Sequence, residues 1–332
     1  MRRLVGLAAA LLSAFPLLGQ VQESGSDVDE IYLDARAIFH EEVRDGRYGT
    51  HFQGDHFNLN VRGHISPTVS FRVRQRLNKE IDNQNPFKAT DFLWIRWQAS
   101  QKWSFSFGKQ AILVGGYEFD AVPIDVYYYS AFCTNLPQCY AFGASAHYSP
   151  AEDQVFTFQF VPSPVSPGLQ NVYSYNLHWA GKIAPWWQTL WSVNLIEDEY
   201  HRMLNYIALG NRFPLGALVL DLDLMNRASF RQPRFLSDWT VITKAIWTIG
   251  SWNLCTKVGY EYNDAANVDE KGRSYDTCLP AGNDYFYGGA GVEWFPLGNE
   301  RLRLHAVWFR DNHDHVDNFD IGVTWRMNLW TR

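Results

Sequence analysis

The chain has 332 residues, of which 16% are aromatic and only 19% charged, and its formal charge is −6. That length admits one large domain or two ordinary ones. The acidic balance leaves no face-wide excess of Lys and Arg, which excludes a nucleic-acid partner as the working assumption.

Met1–Gly19 reads as a cleavable secretory signal. Arg2-Arg3 supply the positive start, Leu4–Leu18 the apolar run and Gly19 a small residue before a cut ahead of Gln20. The run is short for a membrane span, and no long apolar run follows it, so no helical anchor is expected. Residues 20–332 then read as a single domain, without linker, composition shift or repeat. Export places Cys133, Cys139, Cys255 and Cys278 in an oxidising compartment, where an even number suggests disulfides. Cys133 with Cys139, across a Pro-containing turn, and Cys255 with Cys278 is the favoured pairing; four buried thiols is the alternative.

From Asp29 onward the hydrophobic pattern has period 2. Ile31, Leu33, Ala35, Ala37 and Phe39 alternate with polar or mixed residues, and a polar loop over 41–54 follows. Phe57, Leu59, Val61 and Ile65 then oppose His56, Asn58, Asn60, Arg62 and His64. After Ser66-Pro67, Val69, Phe71, Val73 and Leu77 oppose Ser70, Arg72, Arg74 and Arg76. Further strands are expected near 89–99, 103–109, 139–149, 154–161, 172–180, 187–197, 203–213, 217–227, 237–249, 252–262, 284–295, 301–310 and 317–329. The total is about sixteen, each near the nine to eleven residues of a tilted membrane strand. Strands 203–213 and 237–249 do not settle on either face. Connections alternate between short turns and longer loops, as transmembrane barrels show. Trp103, Trp179, Trp186, Trp187, Trp239, Trp247, Trp252, Trp294, Trp308 and Trp330 are read at strand ends, which suits interfacial girdles. A soluble sandwich would show the same alternation, but strand length, loop asymmetry and these tryptophans favour an all-β, antiparallel transmembrane barrel embedded in lipid.

The stretch 110–138 stands apart. It has no clear period, holds Gly115-Gly116, Pro123 and Pro137, and is rich in Tyr, Phe, Ile and Val. Structureless loops of this length are usually functional, and this composition suits packing inside a barrel.

GHISPTVSFRVRQRLNK (63–79), FGKQAILVGGYEFDAVPIDVYYYSAF (107–132), YSYNLHWAGK (173–182), NYIALGNRF (205–213), LDLDLMNRA (220–228) and RLHAVWF (303–309) together resemble the family of phosphate-selective porins O and P, in its Bacteroidetes branch. The resemblance implies a sixteen-stranded barrel of the Gram-negative outer membrane, trimeric, with its third long loop folded inward to narrow the channel. It also implies passive diffusion of small hydrophilic solutes. One departure bears on phosphate: Gln110–Gln138 holds no Lys or Arg and carries Glu118, Asp120 and Asp125.

The candidate pore-lining, anion-binding residues are Arg62, Arg72, Arg74, Arg76 and Arg96, joined by Lys257, Arg303 and Arg326. They face the inward acids Asp221, Asp223, Glu261, Glu293 and Asp320. A ring of one sign selects counter-ions, so a mild anion preference is expected, with Glu118 and Asp120 setting a transverse field. The alternative is that the arginines brace the loop. Inward Phe92 and Trp94 read as packing for that loop. His313 and His315 with Asp311, Asp314 and Asp317 lack a closed ligand set, so no metal is assigned. Ser145 and His147 share a face but have no orienting acid, and no catalytic or cofactor motif is found. The alternatives to a channel are a barrel acting as surface receptor or adhesin and, behind it, an outer-membrane hydrolase using Ser145 and His147.

Overall fold

The computed structural model describes residues 27–80, 85, 87–227, 235–313 and 315–332; the signal segment lies outside them. Sixteen antiparallel strands close into one barrel. They are β1 (Val28–Arg44), β2 (Arg47–Ser66), β3 (Val69–Arg76), β4 (Thr90–Gln98), β5 (Trp103–Ala111), β6 (Tyr140–Ala151), β7 (Gln154–Pro162) and β8 (Tyr173–Ala184). The second half is β9 (Trp187–Glu197), β10 (Met203–Leu215), β11 (Leu218–Asn226), β12 (Asp238–Ile249), β13 (Trp252–Asn263), β14 (Asn283–Trp294), β15 (Leu302–Asp311) and β16 (Asp317–Thr331). Each strand pairs with its sequence neighbours, and β16 pairs with β1 from Glu30↔Thr331 to Val43↔Asp317. Closure leaves no strand edge, the condition for a sheet to sit in hydrocarbon.

The period-2 pattern sorts side chains as a membrane barrel requires. Leu93, Ile95, Phe107, Phe156, Phe158, Leu177, Val193 and Ile321 are exposed, while Asn58, Asn60, Ser106, Thr157, Asn176, Asn194 and Asp320 are buried inside. Trp103 packs on Phe105 and Tyr148, Trp186 on Trp187, and Trp252 on Trp294, all beside short turns. No helix among the described residues is long and apolar enough to cross a membrane.

Two expectations need correction. The polar stretch 41–54 is not a loop. Strands β1 and β2 run on through it and turn at Asp45-Gly46, whose φ values of 50° and 76° are both left-handed. An Asp-Gly pair is the preferred two-residue hairpin turn, and the hairpin overshoots the rim with Tyr48 and Phe52 exposed. Nor are the cysteines paired: Cys133, Cys139, Cys255 and Cys278 are all free thiols. Cys255 lies eight residues before the end of β13, about 26 Å along a strand from the loop that carries Cys278, well beyond disulfide reach. Cys133 sits on the short helix Ala131–Asn135 with its thiol on Glu118, whereas the Cys139 carbonyl accepts from Ile112 N at the start of the inward loop.

Candidate functional site: the lumen and its infolded loop

The connection between β5 and β6 folds into the barrel and is moored at four places. At its start, inward amides on consecutive strands form a ladder. Asn194 donates to Asn176 and Asn176 to Gln159, each at 2.9 Å. Gln159 then binds Leu113 N and Ala111 O, and Asn194 binds Leu113 O. Next comes Gly115-Gly116. The carboxylate of Asp223 accepts from Tyr117 N at 2.9 Å and Glu118 N at 2.8 Å. A Cβ on Gly116 would lie 2.3 Å from that carboxylate, so only glycine lets the backbone come this close.

Deeper in, Glu118 pairs with Lys257 and also accepts from Ser130 N at 2.9 Å. Burial pushes the Glu118 carboxyl up, but the charge and hydrogen bond of Lys257, with Ser130, hold it below its ordinary value. Glu261 accepts from Ala131 N and Phe132 N at the start of the short helix. At the far wall, Arg36 donates to the carbonyls of Ile124 and Val126, and Arg303 donates to Ile124 O at 2.7 Å. An apolar cluster including Ile112, Phe132, Leu204, Tyr206 and Tyr275 seals the loop against β10 and the outer loop 264–282. That outer loop is itself held by a fully buried Arg227–Asp276 pair.

The cations expected at the pore divide into two groups. Arg74 and Arg76 share Asp91, at 3.0 and 2.9 Å, and Arg62 lies 4.0 Å from Glu30. Lys257, Arg303 and Arg326 are paired with Glu118, Glu293 and Asp34. Arg72 and Arg96 have no carboxylate partner among the described residues. Arg72 lies 4.2 Å over the Phe92 ring, and Arg96 donates to Ser106 and covers Trp94. Phe92 and Trp94 thus carry guanidiniums, and Phe92 lines a cavity together with loop residues.

Of the acids, Asp221 is held by Arg212, Asp320 by His40, and Asp223 and Glu261 by loop amides. Asp125 binds Arg303, and Asp120 is exposed with no cation partner among the described residues. The loop separates a cavity of about 630 Å³ on the β10–β16 side from one of about 230 Å³ against β3, β4, β6 and β8.

Ser145 and His147 are not brought together. Ser145 donates to Gln110, and His147 sits 2.9 Å from both Ser106 and Thr157. No group of three or more His, Cys, Asp or Glu placed to hold a metal occurs among the described residues, and Asp314 of the His313–His315 run lies outside them. Sequence reasoning overlooked Arg36, Asp91, Arg212 and the amide ladder. The ladder did leave a signal: Gln159, Asn176 and Asn194 occupy inward positions on three consecutive strands.

Residues 39–188, just under half of the chain, match the family model described as phosphate-selective porin O and P. No curated protein is significantly similar in sequence. Three solved structures share the barrel. In vitro-folded OmpT, an outer membrane protein of Vibrio cholerae, is 10% identical with a TM-score of 0.63, over 92% of this chain and 99% of that one. The anion-selective porin from Comamonas acidovorans is 8% identical with a TM-score of 0.62, over 90% and 98%. OmpF of Salmonella typhi, in complex with daunomycin, is 10% identical with a TM-score of 0.63, over 92% and 100%. At such identities the likeness is one of fold.

Proposed function

For this porin-type barrel of the Gram-negative outer membrane, we propose passive diffusion of small hydrophilic solutes with a mild anion preference. One observation carries the preference: the guanidiniums of Arg72 and Arg96 have no carboxylate partner among the described residues, while Asp221, Glu293 and Asp34 each sit in an ion pair with a lumen cation. Only uncompensated charge biases ion entry, because a paired charge presents no net field to a passing solute. Arg74 and Arg76 add to it, since two cations divide one Asp91. Asp120 faces this wall from the loop and supplies the opposite pole.

Planar-bilayer recording in a salt gradient tests the reading. The wild-type reversal potential should favour anions, and Arg72→Gln with Arg96→Gln should move it toward zero. An unmoved potential rejects the role of these two residues, and absence of steady ohmic current rejects the channel. Assembly as a homotrimer belongs to the same proposal and is checked by native mass in detergent. A second reading, as surface receptor or adhesin, draws on the overshooting β1–β2 hairpin with exposed Tyr48 and Phe52. Loss of cell-surface binding on deleting 41–54, with conductance kept, would favour it.

A further inference from the structure

The lining of the smaller cavity is of two kinds. The barrel wall contributes Arg72, whose Nε is buried without a hydrogen-bond partner, and His178, whose ring has no hydrogen-bond partner among the described residues. Arg74 also lines it but is committed to Asp91 and Tyr140. The infolded loop contributes Leu113, Phe119 and Val122, and Phe92 lies under the Arg72 guanidinium.

We infer that this cavity takes a small organic carboxylate with an apolar body, in preference to inorganic phosphate. The inference rests on the anion-preferring channel proposed above and names its solute class. A carboxylate presents two oxygens at one end, which a single guanidinium fork matches side by side. Its hydrocarbon or ring portion is then left for Phe92 and the loop's apolar residues, where burial is favourable. Phosphate carries charge and acceptor oxygens on every side, so half of its oxygens would be stripped of water against Leu113, Phe119 and Val122 without a donor. Asp120 also lines this cavity, and its carboxylate repels a dianion more than a monoanion.

Bi-ionic potentials across bilayers holding the purified wild-type protein compare benzoate and phosphate, each against chloride, at a pH where phosphate is largely dianionic. Benzoate should permeate about tenfold better than phosphate, the size of one charge-assisted hydrogen bond gained. Arg72→Gln should lower benzoate permeation and narrow the difference. Phosphate permeating as well as benzoate in the wild type overturns the inference while leaving anion preference standing. An ohmic current with no anion preference, or no current, overturns the channel reading and this one with it. The wild-type comparison decides without relying on the folding of any variant.

Discussion

Lys257→Met tests whether the infolded loop is pinned by one buried ion pair. Both side chains of the pair are under a tenth exposed, and Lys257 Nζ also donates to Tyr128 O at 2.7 Å. Met fills most of the lysine's space but leaves the Glu118 carboxylate buried with no cation among the described residues, its remaining donors being neutral groups such as Ser130 N and the Cys133 thiol. Breaking a buried pair from one side costs about 3–5 kcal/mol, which raises the population of loop-released molecules by about two to four powers of ten. Single-channel recordings should then show broadened, flickering conductance where the wild type is quiet. Glu118→Gln in the same chain should restore much of the quiet state, since removing both partners of a pair is far milder than removing one. The pH response follows the same logic. Glu118 is held below its ordinary value by Lys257 in spite of burial. Its contribution is therefore complete above the ordinary carboxylate range and is lost only as pH falls below that range. Without Lys257 only the burial remains dominant, so mild acid should quiet the Lys257→Met channel and leave the wild type unchanged. A Lys257→Met protein with wild-type current histograms, or a double variant as noisy as the single one, refutes the reasoning.

Gly116→Ala should be disruptive out of proportion to one methyl group, because its Cβ would sit 2.3 Å from the Asp223 carboxylate; a loss of about 1–3 kcal/mol is expected, read as a lower unfolding temperature in detergent. Arg227→Met should strip the buried partner of Asp276 and, at about 3–5 kcal/mol, make the outer loop 264–282 cleavable by protease added to whole cells. All four cysteines should react with maleimide after denaturation without reductant, and buried Cys278 should not react before it; a mass two or four daltons below the all-thiol value would show otherwise.

The barrel was legible because outward hydrophobics at every second residue persist over strand after strand. It was illegible where the two faces stop differing. In β10, Leu204 and Tyr206 point inward yet are fully buried, because the loop's apolar cluster covers them. On its other face Asn211 accepts from the indoles of Trp187 and Trp191, a polar group shielded by rings. Both faces of β10 thus mix polar and apolar residues, and no period could orient it. Residues 41–54 failed for the opposite reason, being wet on both faces of the hairpin. The loop's composition gave away its inward fold, but its moorings depend on barrel register. Asp223, Lys257, Glu261 and Arg303 meet it from three different strands, and no spacing along the chain encodes that meeting. The same holds for Asp91, which turned two of the five expected pore arginines into a shared pair.

The seam between β1 and β16 joins the first strand of the barrel to the last. Until Asp317–Thr331 is in place, β1 and β15 each present a row of bare peptide groups to the acyl chains, and every unmet N–H or C=O there costs several kcal/mol. A chain cut before Asp317 is therefore no smaller version of the protein. Insertion has to wait for the final segment, and a protease that trims this end before insertion disarms the molecule as surely as one that destroys it.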